Sequence, residues 1–325
     1  MLRREFILRS LSKTPLVTII SATYNLIKNN RKDYFIQMIN SVKNQTYDNI
    51  EHIIIDGGSN DGSIELYKEL GLKYISEKDN GIYDAFNKGV NLAKGKYINF
   101  MNSDDFFCNS KAVELSVKAL EKTNADFSCA KASIIWSNGC VKTMKPKMHY
   151  VYFRMPFCHQ TMFCKTDVIK KEGFFDLNFK SASDYDLILR LVLRHYKYVT
   201  LKENIVTFRY IGESAKNVRL SVEEQLEILK KNYGSYVQWD DNKFLFFWIN
   251  RYFPTSVYLK LPFGFKSLFA FIKAHLRYIR RKIIHISTSS KKERWAISIF
   301  GYKITESGIA PLCSIKTVDE YINGN

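Results

Sequence analysis

With 325 residues, 46% of them hydrophobic and 25% charged, the chain holds enough apolar side chains for at least one full core, which excludes intrinsic disorder as the default. Its formal charge of +17 is concentrated: residues 243–303 carry 13 Lys or Arg against one acid, Glu293. No run reaches the roughly 18 uninterrupted apolar residues of a spanning helix, the six cysteines form no C-x-x-C pair, and residues 1–13 lack the apolar core of a signal peptide, so free thiols in a reducing cytosol are expected.

In chain order, 16–22 (LVTIISA) is a β-branched run that predicts a strand, and 29–44 places Phe35, Ile39 and Val42 at helical spacing. A second strand, 51–55, stops at Asp56 and opens the loop GGSNDG at 57–62, followed by a short helix over 63–70 in which Asp61 is the natural cap. Then come a strand at 72–76, a helix at 82–93, a strand at 96–101 and a helix at 111–122. Strands alternating with helices imply a parallel sheet with right-handed crossovers. Beyond them the pattern changes to a hairpin, 127–136 and 140–144, with Asn138-Gly139 at its turn. Helices at 166–171 and 184–195, a strand at 199–210 and a charged amphipathic helix at 221–233 complete the reading.

Two strands of the parallel half end in acid, one at Asp56 and one at Asp104-Asp105, and carboxylates at strand ends suit the ligand crevice of an open α/β sheet. Adjacent Asp residues repel, so a bound divalent cation is the simplest way to keep both ionised; the plainer alternative is a cap for the next helix. Asp84, Asn87 and Lys88, at i, i+3 and i+4, share one helical face, which is either functional or merely solvated. Neither a Ser-His-Asp arrangement nor a spaced Cys/His zinc cluster is present.

Five segments, TIISATYN at 18–25, DGGSNDGS at 56–63, EKDNGIYDAFNKG at 77–89, NSDD at 102–105 and GFFDLNFKSASDYDLILRL at 173–191, together resemble the inverting family 2 glycosyltransferases of bacterial surface-polysaccharide type, in order over residues 15–215. The resemblance implies a GT-A fold, Rossmann-like and mostly parallel with helices on both faces. It places a catalytic domain at 1–215, with a nucleotide-sugar half at about 15–125 and an acceptor half at about 126–215. A basic, aromatic-rich helical region follows at 216–325. It implies a nucleotide-diphosphate sugar donor, a UDP-sugar, with Mn²⁺ or Mg²⁺ bridging the diphosphate.

Carried over residue by residue, Thr23 and Asn25 contact base and ribose and Asp56 contacts the nucleoside. Asp84, Asn87 and Lys88 close over the nucleotide, Ser103 and Asp104 contact the donor, and Asp104 and Asp105 hold the metal, with His159 as a candidate further ligand. Asn102 stands where the family often has a further acid, which leaves open whether Asp104 or Asp105 touches the metal. Asp184 is the candidate base that deprotonates the acceptor hydroxyl. The family's Glu-Asp pair is Ser183-Asp184 here, and Asp186 is expected to be structural.

For the basic tail, attachment to an anionic bilayer is the favoured reading, with a helical appendage as the alternative; no nucleic-acid-binding motif is present. The expected setting is the cytoplasmic face of the inner membrane, as a peripheral protein acting on a glycan or lipid-linked acceptor. The rivals are a sugar nucleotidyltransferase, whose glycine-rich, arginine-containing first loop is absent after Ser21, and a non-catalytic membrane or polyanion-binding protein on an inactive transferase fold.

Overall fold

The computed structural model describes residues 14–136, 138–210 and 217–237, the single positions 240, 245, 248, 272 and 276, and four strands within 285–311. The chain divides into two compact units: one comprises 1–146, 157–183 and 196–212, the other 147–156, 184–195 and 213–325. Of the residues 1–215 expected as the catalytic domain, 147–156, 184–195 and 213–215 fall in the second unit.

The first unit is built on one nine-stranded sheet. Strand β1 (Val17–Thr23) is buried along its whole length, and its β-branched residues fill both faces of a central strand. Helix α1 (Lys32–Lys43) buries Phe35, Met38, Ile39 and Val42, one stripe at helical spacing. There follow β2 (Ile50–Asp56), α2 (Ser63–Glu69), β3 (Tyr74–Ser76), α3 (Ile82–Leu92) and β4 (Tyr97–Phe100). β1 pairs in parallel with β2 on one side and β4 on the other, and β2 pairs in parallel with β3. Chain order reverses across β1, the topological switch point where such sheets bind ligands beyond their strand ends. The register sets Thr23 opposite Asp56 and Ile20 opposite Phe100, so these strands deliver their C-terminal residues to one edge.

Beyond β4 the sheet is mixed. The order continues β4-β8-β6-β9-β5, with β7 beside β6; the strands are β5 (Phe106–Phe107), β6 (Phe127–Trp136), β7 (Val141–Met144), β8 (Phe163–Lys165) and β9 (Tyr198–Tyr210). β8 runs antiparallel to both β4 and β6, and β5 runs antiparallel to β9, whereas β6 and β9 are parallel. Two further helices of this unit are α4 (Ala112–Thr123) and α5 (Thr166–Lys171). β5 and β8 were not expected, because two or three residues are too short a window to show a period.

In the second unit, α6 (Ser183–Leu193, whose first residue belongs to the first unit) and α7 (Val218–Tyr233) are tied by one ion-pair system. Asp186, fully buried, receives Arg190 Nε at 2.7 Å and Lys231 Nζ at 3.0 Å. Tyr233 adds a hydrogen bond from its hydroxyl to the Tyr152 carbonyl at 3.2 Å. Residues 285–311 contribute a four-stranded antiparallel sheet, which the expectation of a helical region did not contain. Most of the basic, aromatic segment at 243–303 and the leader reading of 1–13 lie outside the described residues. Among the described residues, no helix is long and apolar enough to cross a membrane.

Candidate active site

The C-terminal ends of β2, β1 and β4 carry three of the expected motifs to one edge. At the end of β2, Asp56 is fully buried and accepts from six donors. Oδ1 faces Ser59 Oγ at 2.6 Å, Tyr67 Oη at 3.0 Å and Thr23 Oγ1 at 3.3 Å; Oδ2 faces Ser59 N and Ser76 Oγ at 2.8 Å and Gly58 N at 3.0 Å. A carboxylate so surrounded fixes the shape of the glycine loop. Thr23 is spent on the same hub. Asn25, in the left-handed conformation with φ 48°, accepts Asn60 N on its side chain at 3.3 Å and donates its own N–H to Ser59 Oγ at 2.7 Å. Thr23, Asn25 and Asp56, the expected donor contacts, are thus tied to the 58–60 loop by one hydrogen-bond network. Ser59, Tyr67 and Ser76 are members of it that the sequence reading passed over.

Tyr24, between Thr23 and Asn25 in the chain, is 59% exposed. A Cβ on Gly57 would meet Asp79 Oδ2 at 2.8 Å, so a side chain there would have to displace that carboxylate.

The face of α3 is likewise committed to the protein. Asp84 accepts Asn80 N at 3.0 Å and Asn80 Nδ2 at 3.2 Å, which ties the preceding turn to the first turn of the helix. Asn87 exchanges two hydrogen bonds of 2.9 Å with the backbone of Phe175. Lys88 reaches the Lys78 carbonyl at 2.8 Å and Glu77 at 3.0 Å. Asp84, Asn87 and Lys88, expected to contact the nucleotide, brace the 77–81 loop and the 173–175 turn through these bonds, and Phe174 in that turn is strained at φ 66°.

The 102–105 turn separates its two acids. Asp105 is fully buried: Oδ1 accepts Arg209 N at 2.8 Å, and Oδ2 accepts Gln160 Nε2 at 2.6 Å and Asn102 Nδ2 at 3.1 Å. Burial first, and then the charge of Asp104, push its carboxyl well above the usual carboxylate range, while the hydrogen bonds pull the other way. The side chain of Asp104 is 9% exposed and pairs through Oδ2 with Arg31 Nη1. Arg209 binds the Asp104 carbonyl and Gln37 Oε1, with its guanidinium 4.4 Å from the Tyr34 ring centre and 4.9 Å from that of Phe106. Ser103 is half-buried within the turn.

At residues 159–160 it is Gln160, the neighbour of the expected His159, that reaches the acidic pair. His159 sits beside Phe86, with ring centres 6.5 Å apart. Among the described residues, no three His, Cys, Asp or Glu side chains converge to hold an ion, so Asp104, Asp105 and His159 are not a preformed triad. The turn does suit a hard cation that relies on its ligand. Asn102 Oδ1 is buried with no hydrogen-bond partner, and Asp104 offers a carboxylate, oxygens of the kind that would hold a hard cation such as Mg²⁺ or Mn²⁺.

Asp184 lies in the second unit, half-buried in the first turn of α6, where Oδ1 accepts Tyr185 N at 2.8 Å. Asp186, two residues on, is structural, as expected.

With this geometry in place, the comparisons decide the family. A profile described as Glycosyl transferase family 2 matches residues 18–178. An uncharacterized glycosyltransferase of Mycobacterium tuberculosis, MT1564, is 31% identical over 199 residues, which is 56% of this chain and 71% of that protein. The chain belongs to glycosyltransferase family 2. An uncharacterized glycosyltransferase of Rickettsia bellii is 39% identical over 116 residues, but those are 34% of this family 2 chain and only 16% of the longer relative. Among solved structures, S. aureus TarS 1-349 in complex with UDP-GlcNAc superposes with a TM-score of 0.56 at 18% identity, covering 82% of this chain and 81% of that one. The mannosyltransferase PcManGT from Pyrobaculum calidifontis, in complex with GDP-Man and Mn²⁺, gives 0.50 at 14%, covering 83% and 89%. At such identities the likeness is one of fold, and it agrees with the expected GT-A architecture.

Proposed function

We propose that this family 2 chain is an inverting, metal-dependent hexosyltransferase. It would move one sugar from a nucleotide-diphosphate donor, a UDP-sugar, to a hydroxyl of a glycan or lipid-linked acceptor in surface-polysaccharide or lipopolysaccharide synthesis. The observation that carries the reading is the meeting of TIISATYN, DGGSNDGS and NSDD at one sheet edge, over adjacent parallel strands. The neighbours named above, one with UDP-GlcNAc and one with GDP-Man and Mn²⁺, support a nucleotide sugar and an ion there.

The Asp56 hub would hold the glycine loop rigid so that its backbone and the exposed Tyr24 ring meet the nucleoside, the ring by stacking. Of the acidic pair, Asp104 and not Asp105 would ligate the ion, joined by Asn102 Oδ1, because both Asp105 oxygens already serve buried donors. A bound Mn²⁺ or Mg²⁺ supplies Lewis-acid neutralisation of the departing diphosphate. Asp184 would take the proton of the attacking hydroxyl; Asp186 is excluded by its two cations. The basic, aromatic tail would place the enzyme at the cytoplasmic membrane face, near a lipid-linked acceptor.

A panel of nucleotide sugars in Mn²⁺ buffer tests this. One donor should raise the melting temperature by mass action and release its nucleoside diphosphate. Asp184→Asn should keep that thermal shift while transfer falls on the order of 10²-fold or more. Near-normal transfer by this variant reassigns the base, and a panel in which no nucleotide sugar stabilises the protein contradicts the reading.

A further inference from the structure

The Asp104 carboxylate already has a cation. Arg31 stands at the entry to α1, where the loop after β1 is wound tightly: Asn29 N bonds the Asn25 carbonyl at 3.0 Å, Arg31 N bonds the Leu26 carbonyl at 2.8 Å, and Asn30 is left-handed at φ 54°. The same loop is pinned to the 56–63 loop by Leu26 N to Ser63 Oγ at 2.9 Å and Lys28 N to Asp61 Oδ2 at 2.8 Å. Its geometry brings Arg31 Nη1 onto Asp104 Oδ2.

The second guanidinium nearby is committed elsewhere, since Arg209 is clamped by the Asp104 carbonyl, Gln37 and two rings. Arg31 by contrast is 23% exposed on its side chain, and it already neutralises the carboxylate that a metal ion would use. Two cations do not share one carboxylate oxygen at close range without strong repulsion.

We infer that Arg31 is a displaceable counter-ion of Asp104. A divalent ion entering alone must compete with the Arg31 guanidinium, held on Oδ2, for the Asp104 carboxylate. An ion entering with a nucleoside diphosphate gives that guanidinium phosphate oxygens to bind instead, which a planar fork does well. Arg31 therefore couples the two ligands: metal and nucleotide bind together or weakly. By thermodynamic reciprocity the ion tightens the nucleotide by the same factor as the nucleotide tightens the ion. This rests on Asp104 as the carboxylate of the ion, as proposed above.

The experiment is Mn²⁺ binding, followed by electron paramagnetic resonance of the free ion, for the full chain and for Arg31→Gln and Arg31→Ala, each with and without UDP or GDP. In the wild type, nucleotide should tighten Mn²⁺ by tenfold or more. In both variants Mn²⁺ alone should bind about tenfold tighter than in the wild type, and the further gain from nucleotide should shrink to a few-fold. General damage to the site lowers affinity, so a rise is not a folding artefact. Variants that bind Mn²⁺ alone no better than the wild type, while nucleotide still tightens it as before, overturn the role of Arg31 and leave the metal site standing. Absence of Mn²⁺ binding in all three proteins, with or without nucleotide, overturns the metal site itself and the inference with it.

Discussion

Asp104 and Asp105 are adjacent in sequence and opposite in setting. Asp105→Ala would leave Arg209 N–H, Gln160 and Asn102 donating into an empty interior, at about 1–3 kcal/mol for each group that finds no other partner. Chemical denaturation should therefore show Asp105→Ala losing about 3 kcal/mol or more, and Asp104→Ala losing less, since its partner Arg31 is 23% exposed and can turn to water. Equal losses would dissolve the distinction. The sequence located this turn but could not rank its two acids, because Gln160 and Arg209 arrive from 55 and 104 residues away. Asp56 is similar: its position at a strand end was legible, but its six donors come from four separate segments.

His52, on β2 and 3.0 Å from Ser21 Oγ, is a second residue with a measurable signature. Burial, helped by the charge of Lys43, pushes its imidazole down to about 4. The unfolded chain takes up this proton near pH 6.5 and the native chain does not, so the contribution of neutral His52 is complete above pH 6.5 and is lost as pH falls toward 4. The drop in unfolding free energy between pH 7 and pH 4 should be smaller in His52→Gln than in wild type by about 2 kcal/mol. Identical slopes would refute the shift.

Among the elements, α3 has the narrowest tolerances. A Cβ on Gly89 would lie 2.4 Å from Cγ2 of Ile20, a fully buried residue of β1, so Gly89→Ala should cost about 1–3 kcal/mol by overpacking despite a better helix propensity. A calorimetric melt at or above the wild-type temperature would contradict that contact. Asn87→Ala should release the 173–175 turn, seen as faster amide exchange at Phe175 relative to β1. Both features sit in a segment whose helix was legible from 82–93 by period alone. What period cannot report is which polar positions on its exposed face are used internally; Asp84, Asn87 and Lys88 were read together as nucleotide contacts and each has a protein partner. Long alternating runs such as 127–136 were legible to the residue, whereas the two-residue β5 was not.

At the scale of the whole molecule, the βα alternation up to β4 fixes the parallel half and its switch point, which is why the sheet edge carrying the candidate site was legible in the sequence. The assignment of 147–156 and 184–195 to the second unit was not legible, because it depends on long-range packing such as Asp186 with Lys231 rather than on any break in composition. The tail from 243 to 303 argues through its 13 basic residues alone. The full chain should sediment with anionic vesicles and release as salt rises past the screening length, and it should ignore neutral ones; salt-insensitive sedimentation would assign the contact to apolar burial instead.

The nucleotide edge itself is tested most directly by calorimetric titration of UDP and GDP into the wild type and Asp104→Ala, each with Mn²⁺ and with a chelator. One nucleotide should bind the wild type at least about tenfold tighter with Mn²⁺ than without, a coupling of about 1.4 kcal/mol, and Asp104→Ala should abolish the difference. Nucleotide affinity that is indifferent to the ion, or a metal effect that survives loss of Asp104, would contradict the site as described.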